Sequence, residues 1–123
     1  MAQDRPTAAE LVEAVREFLE HDVMATSTDK RVQFHARVAA NALGMVEREL
    51  TNGRELVAAE RVRAAALLGH DDEVGLLERE LAARIRGGSL DDRLDAVRDH
   101  VRATVREKLL VANPGYLPEA PSA

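Results

Sequence analysis

FHARVAANALGMVEREL, residues 34–50, is the stretch that decides how this chain folds. Stepped at about 100° per residue around a helix, Phe34, Met45, Val38, Ala42, Val46, Ala39, Leu50 and Leu43 fill a single arc roughly 180° wide. So broad an arc predicts a central helix, running over 30–50 and ended by Asn52-Gly53. His35 falls inside the arc, between Ala42 and Val46. Asn41 lies at its edge, beside a polar stripe of Arg37, Gly44 and Arg48.

The same periodicity extends in both directions, and no strand-like alternation interrupts it. Upstream, Thr7 and Glu10 have capping-box spacing, so a first helix starts near Ala8. It carries Leu11, Val12, Val15, Phe18 and Leu19 as one stripe and stops near Met24, before a polar loop over 25–29. Downstream, an alanine-rich third helix covers 55–68 and ends at Gly69. A fourth, over 73–86, puts Val74, Leu77, Leu81 and Ile85 on one face and is broken by Gly87-Gly88. After an N-cap region over 89–92, a long last helix carries Leu94, Val97, Val101, Val105 and Leu109, until Asn113-Pro114-Gly115 stops it. The expected fold is all-α: a compact bundle of about five helices in one domain over 1–123. Its ordered core spans 7–113, and the Pro-rich tail over 114–123 is flexible except where Tyr116 and Leu117 dock.

Composition narrows the function. The 123 residues suit one core, and 46% apolar with 32% charged residues suit a soluble folded chain. Aromatic residues are only 2%, namely Phe18, Phe34 and Tyr116. The core therefore rests on Leu, Val and Ala, and the stacking platforms of single-strand binders are missing. A net charge of −5 lacks the basic footprint that nucleic-acid backbones demand. With no cysteine, disulfides, thiol catalysis and thiolate metal sites drop out. No apolar run approaches the length of a membrane span, and MAQDRPTAAE has no signal-type apolar core, so the expected location is cytoplasmic.

Three helices each place an ionisable group where a dry face is expected: Asp22 on the first, His35 on the second and Lys108 on the last. A buried charge or imidazole needs partners. Asp22, His35 and Lys108 therefore either meet in one polar cluster or have separate explanations. In the second case His35 is a core histidine bonded to a carbonyl, Lys108 snorkels to water and Asp22 faces its loop.

Familiar reaction motifs are missing. No Glu-x-x-His pair of the di-iron kind occurs, because Phe18, Val32, Leu67 and Val97 stand three residues before the four histidines. Glu17 and His21 have a metal-pair spacing but face away from the apolar stripe. There is no H-E-x-x-H, G-x-S-x-G, G-x-G-x-x-G or P-loop. Ser89 reads as a cap, and Arg98, Arg102 and Arg106 pair with Asp95 and Asp99 on a solvated face. A helix-turn-helix would present Glu73, Glu78 and Glu80 to DNA. The expectation is no catalytic residue, no metal and no cofactor.

Three runs carry a resemblance: PTAAELVEAVREFLEHDV over 6–23, the opening stretch over 34–50, and HVRATVREKLLVANPGY over 100–116. Together they resemble a bacterial family of small helical proteins of unknown function, over roughly 5–116. The resemblance implies genes neighbouring aminoglycoside-phosphotransferase-like kinases and acyl-CoA dehydrogenases, and hence an accessory role. It assigns no catalytic residue. The positions that fit its pattern include Phe34, His35, Arg37, Asn41, Arg102, Lys108, Asn113 and Tyr116. The chain departs from it in ATSTDKRVQ over 25–33, which is more polar than the Leu/Pro-containing connection the resemblance implies.

Two functional readings follow. One is an interaction module for a partner enzyme of either class, or a homodimer, with an apolar face left exposed; Leu56, Ala59, Val62 and Ala66 are its candidate. The other is a site for an acyl or phosphorylated small molecule between the second and last helices. His35, Asn41, Lys108 and Tyr116 would line it, with Asp22 and Arg37 as further candidates.

Overall fold

The computed structural model describes residues 5–118, which contain helices and turns and no strand. Four α-helices are present: α1 (Ala8–Phe18), α2 (Lys30–Leu68), α3 (Val74–Gly87) and α4 (Leu94–Ala112). The chain divides into two compact units, Met1–Gly53 and Arg54–Ala123.

Five helices were expected and four are found, because the second and third expected ones are a single 39-residue helix, α2. Asn52-Gly53 does not end it. A glycine in a helix interior costs only about 1 kcal/mol relative to alanine, and good helix formers stand on both sides. Gly53 lacks the positive φ of a helix stop; among the glycines only Gly69 and Gly88 have one. Within the continuing helix the Thr51 hydroxyl donates to the Glu47 carbonyl at 2.8 Å.

In the first unit, the Thr7 side chain accepts from the Glu10 N–H and the Glu10 carboxylate accepts from the Thr7 N–H, which completes the expected capping box. The helix continues past Phe18 as a wider π-helical segment, Leu19–Met24. Thr26 then donates to the Asp22 carbonyl. The loop is held by Gln33, whose side-chain amide donates to the Ser27 carbonyl at 2.6 Å. Arg16 on α1 forms a two-pronged ion pair with Glu47 on α2.

This half of α2 does not bury the face that the pattern selects. Its buried positions are Ala36, Ala40, Gly44 and Gly53. Phe34, Val38, Met45, Val46 and Leu50 stay 40–59% exposed. His35 is exposed with them. Small residues at four-residue steps allow close approach, so the narrow alanine–glycine stripe is the buried side.

The second unit holds the larger core. Ala64, Leu67 and Leu68 from α2 meet Leu77 and Leu81 from α3, Leu90 from the connection and Val97 from α4. Gly69 ends α2 in the left-handed region, and Arg93 donates to the Leu67 carbonyl at 2.9 Å. The α2–α3 loop is pinned by Arg61, which grips Asp71 through bonds of 2.8 and 3.0 Å. Gly88, with φ of 82°, ends α3. Ser89 does not cap α4; its hydroxyl bonds back to the Arg84 carbonyl, and a 3-10 turn, Asp91–Arg93, leads into the helix. After Asn113 the chain makes a 3-10 turn, Pro114–Tyr116. Tyr116 does not dock, being 75% exposed, whereas Leu117 is half-buried. The expected flexible tail lies in part, over 119–123, outside the described residues.

Candidate functional site

α4 is rotated from its expected orientation. Val101, Val105 and Leu94 are 44–51% exposed. The side turned inward carries Ala96, Val97, His100, Ala103, Thr104 and Glu107. His100 sits at its centre and is only 3% exposed.

The His100 ring is anchored across the unit. Its Nε2 lies 2.7 Å from Glu78 Oε1 on α3. A carboxylate oxygen can only accept, so Nε2 is the protonated nitrogen, and this assigns the tautomer. Nδ1 is then a bare acceptor, buried and without a partner.

Glu78 has a second neighbour on α2. Burial, the Glu78 charge and a hydrogen bond with Glu78 push the Glu60 carboxyl above its ordinary value, while Lys108 and His100 oppose the shift. Neighbouring carboxylates disfavour being ionised together, which is the physical source of that upward shift. The result is a line of side chains, Glu60–Glu78–His100, that joins α2, α3 and α4. Beside it, Arg63 on α2 donates to Glu107 Oε2 at 3.0 Å and to the Thr104 hydroxyl at 3.2 Å. The Glu107 carboxylate holds the Arg63 guanidinium above its usual range. Arg63 Nε is buried and unpaired.

Chemically this arrangement can orient a ring and offer one vacant acceptor. It does not resemble a metal centre: among the described residues no three His, Cys, Asp or Glu side chains are placed to hold an ion. A second histidine, His70, bonds Glu80 at 2.8 Å in the exposed loop, and that carboxylate raises its pKa.

The sequence-derived candidates stand elsewhere. In the first unit Asp22, His35, Arg37 and Asn41 are all exposed. His35 stacks edge-on against Phe34, with ring centroids 5.6 Å apart. In the second unit Lys108 and Tyr116 are exposed. No described hydrogen bond or ion pair links any two of the six side chains. The expectation of a buried imidazole belongs to His100 and not to His35. Ala96, His100, Ala103 and Glu107 repeat at four- and three-residue steps and mark this face in the sequence, although the larger valines lie on the neighbouring one.

Fold and site together define an all-helical protein whose second unit is built around a buried histidine–carboxylate line. The chain belongs to the family described as Domain of unknown function (DUF6285), whose pattern matches residues 26–116. No curated protein and no solved structure matches it. No described helix is long and apolar enough to cross a membrane.

Proposed function

We propose that the chain is an accessory module that docks on a partner enzyme and carries out no reaction of its own. One observation supports this most: Val62 is 69% exposed on α2 of the second unit. Ala59 and Ala66 are exposed with it, whereas Leu56 is half-buried and Ala58 takes its place on the same side of the helix, which makes a smooth apolar strip with Glu55 at one end. Small side chains let a partner helix approach to about 8–10 Å between axes, and apolar strips with polar rims mark interaction sites. The partner we assign is a phosphotransferase-like kinase or an acyl-CoA dehydrogenase in a bacterial cytoplasm, the classes implied by the family resemblance. A photo-crosslinking residue at position 62, in the native host, tests this. The expected adduct is one enzyme of either class, lost when Ala66→Glu is added on the same strip; no adduct, or an adduct that persists with Ala66→Glu, would count against it.

A second reading has its own observation. His100 Nδ1 and Arg63 Nε are buried and unpaired in one unit, which suits an acyl or phosphorylated small molecule with a polar head. Native mass spectrometry would then show a bound mass that His100→Ala removes. An unliganded spectrum from gently purified protein argues for the accessory module alone.

A further inference from the structure

The outer face of α4 carries a seam that the second unit leaves open. Leu94, Arg98, Val101, Val105, Lys108 and Ala112 follow one another at alternating four- and three-residue steps, the spacing of a row that faces another helix. All six are exposed, and the three large apolar ones are 44–51% exposed.

The charge on this face is not balanced within the chain. Arg98, Arg102 and Arg106 were expected to pair with Asp95 and Asp99, yet the one such ion pair described is Arg98 with Asp95, at 3.6 Å. An exposed pair of that length holds weakly. Arg102, Arg106 and Lys108 have no described hydrogen bond or ion pair, and Glu107 is turned inward to Arg63. Every exposed charge from Val101 to Ala112 is therefore basic, on a chain whose net charge is −5. The helix dipole does not account for the excess, because its effect falls off within the last turn, and that turn holds no basic residue.

The order along the seam specifies what fits it. Val101 and Val105, one turn apart, stand between Arg98 and Lys108. A helix lying along the seam would bury apolar side chains on the valines and gain from a carboxylate opposite each cation. A second copy using the same seam is opposed by charge, since it would set these cations against each other whichever way it ran. Apart from Leu94 the row offers only valine and alanine, shallow anchors for a lipid surface.

We infer that the outer face of α4 docks an acidic helical segment of a partner protein, with carboxylates on Arg98 and Lys108 and apolar side chains on Val101 and Val105. The inference stands on α4 and is independent of the α2 strip around Val62.

The test uses the full-length chain and a labelled synthetic helical peptide, with binding read by fluorescence anisotropy. The peptide carries two glutamates at the separation of Arg98 and Lys108, leucines at the two seam positions between them, and alanine and glutamine elsewhere. A control peptide has lysine in place of both glutamates. The glutamate peptide binds, and the lysine peptide binds at least roughly tenfold more weakly. Arg98→Glu with Lys108→Glu reverses the preference, which also shows that the variant is folded. Where that variant loses helicity, Arg98→Gln with Lys108→Gln takes its place and abolishes the preference instead. No binding of the glutamate peptide, equal binding of both peptides, or a preference that these variants leave unchanged would each overturn the inference. So would binding to phosphatidylserine vesicles in place of the peptide, or a dimer in sedimentation that the charge variants abolish, the mark of a second copy on the seam. Val62→Glu leaves peptide binding unchanged, so this claim and the accessory reading fail separately; loss of binding with Val62→Glu would place the peptide on the α2 strip and overturn the inference.

Discussion

His100 Nε2 lies 2.7 Å from Glu78 Oε1 and ties α4 to α3 inside the second unit. The histidine is 3% exposed, so truncation removes packing and also leaves a carboxylate that has lost its donor. His100→Ala is expected to cost about 2–4 kcal/mol by urea denaturation. A double-mutant cycle with Glu78→Ala should show a coupling of at least about 0.5 kcal/mol. Additive losses would mean that the two side chains act independently.

Glu60 gives the fold a pH dependence of definite sign. Its pKa is raised in the folded state by burial and by Glu78. The stability it contributes is therefore fully present below the ordinary carboxylic-acid range and is lost as pH rises through the raised folded value. Glu60→Gln keeps the hydrogen-bond donor and cannot ionise. Melting temperatures from pH 5 to 8 should show the variant gaining on the original protein as pH rises. His70, whose pKa is also raised by its Glu80 partner, is retained in both proteins and drops out of the difference. Parallel curves would show that Glu60 is not held beside Glu78.

The continuity of α2 is testable at one glycine. A Cβ built on Gly53 would meet the Glu49 side chain at 3.1 Å, and that chain is exposed and free to swing aside. Gly53→Ala should stabilise the protein by up to about 1 kcal/mol through helix propensity. Were the chain turning at this point, alanine would destabilise it. Gly53→Pro is expected to cost about 3 kcal/mol or more.

At the other end of the first unit, Thr7→Ala removes the acceptor for the Glu10 N–H. Hydrogen exchange should quicken in the first turn of α1, with a loss of about 1 kcal/mol. Exchange elsewhere should be unchanged.

Local rules carried much of this structure into the sequence. The Thr7–Glu10 cap, the glycine stop at Gly69 and the Asn113-Pro114 stop each depend on residues a few positions apart, and each is where the spacing places it. Long-range choices were harder to read. Asn52-Gly53 is a turn signal whose cost a 39-residue helix can absorb. Which arc of a helix is buried depends on what lies opposite: α2 buries Ala36, Ala40 and Gly44 while larger apolar side chains stay out. The same ambiguity hid His100 behind the valines of α4 and gave His35 an importance that its exposure removes. Glu60 and Glu78 are unremarkable in sequence, and only the packing of three helices makes them neighbours.

The accessory role is tested most directly by comparing tagged full-length chain with its Val62→Glu variant, purified gently from the native host, with bound proteins quantified by mass spectrometry. The account predicts one enzyme of the kinase or acyl-CoA dehydrogenase class at stoichiometric yield with the original chain, and its loss with the variant while circular dichroism is unchanged. Recovery of the chain alone, or equal recovery of the same enzyme with both proteins, would contradict it.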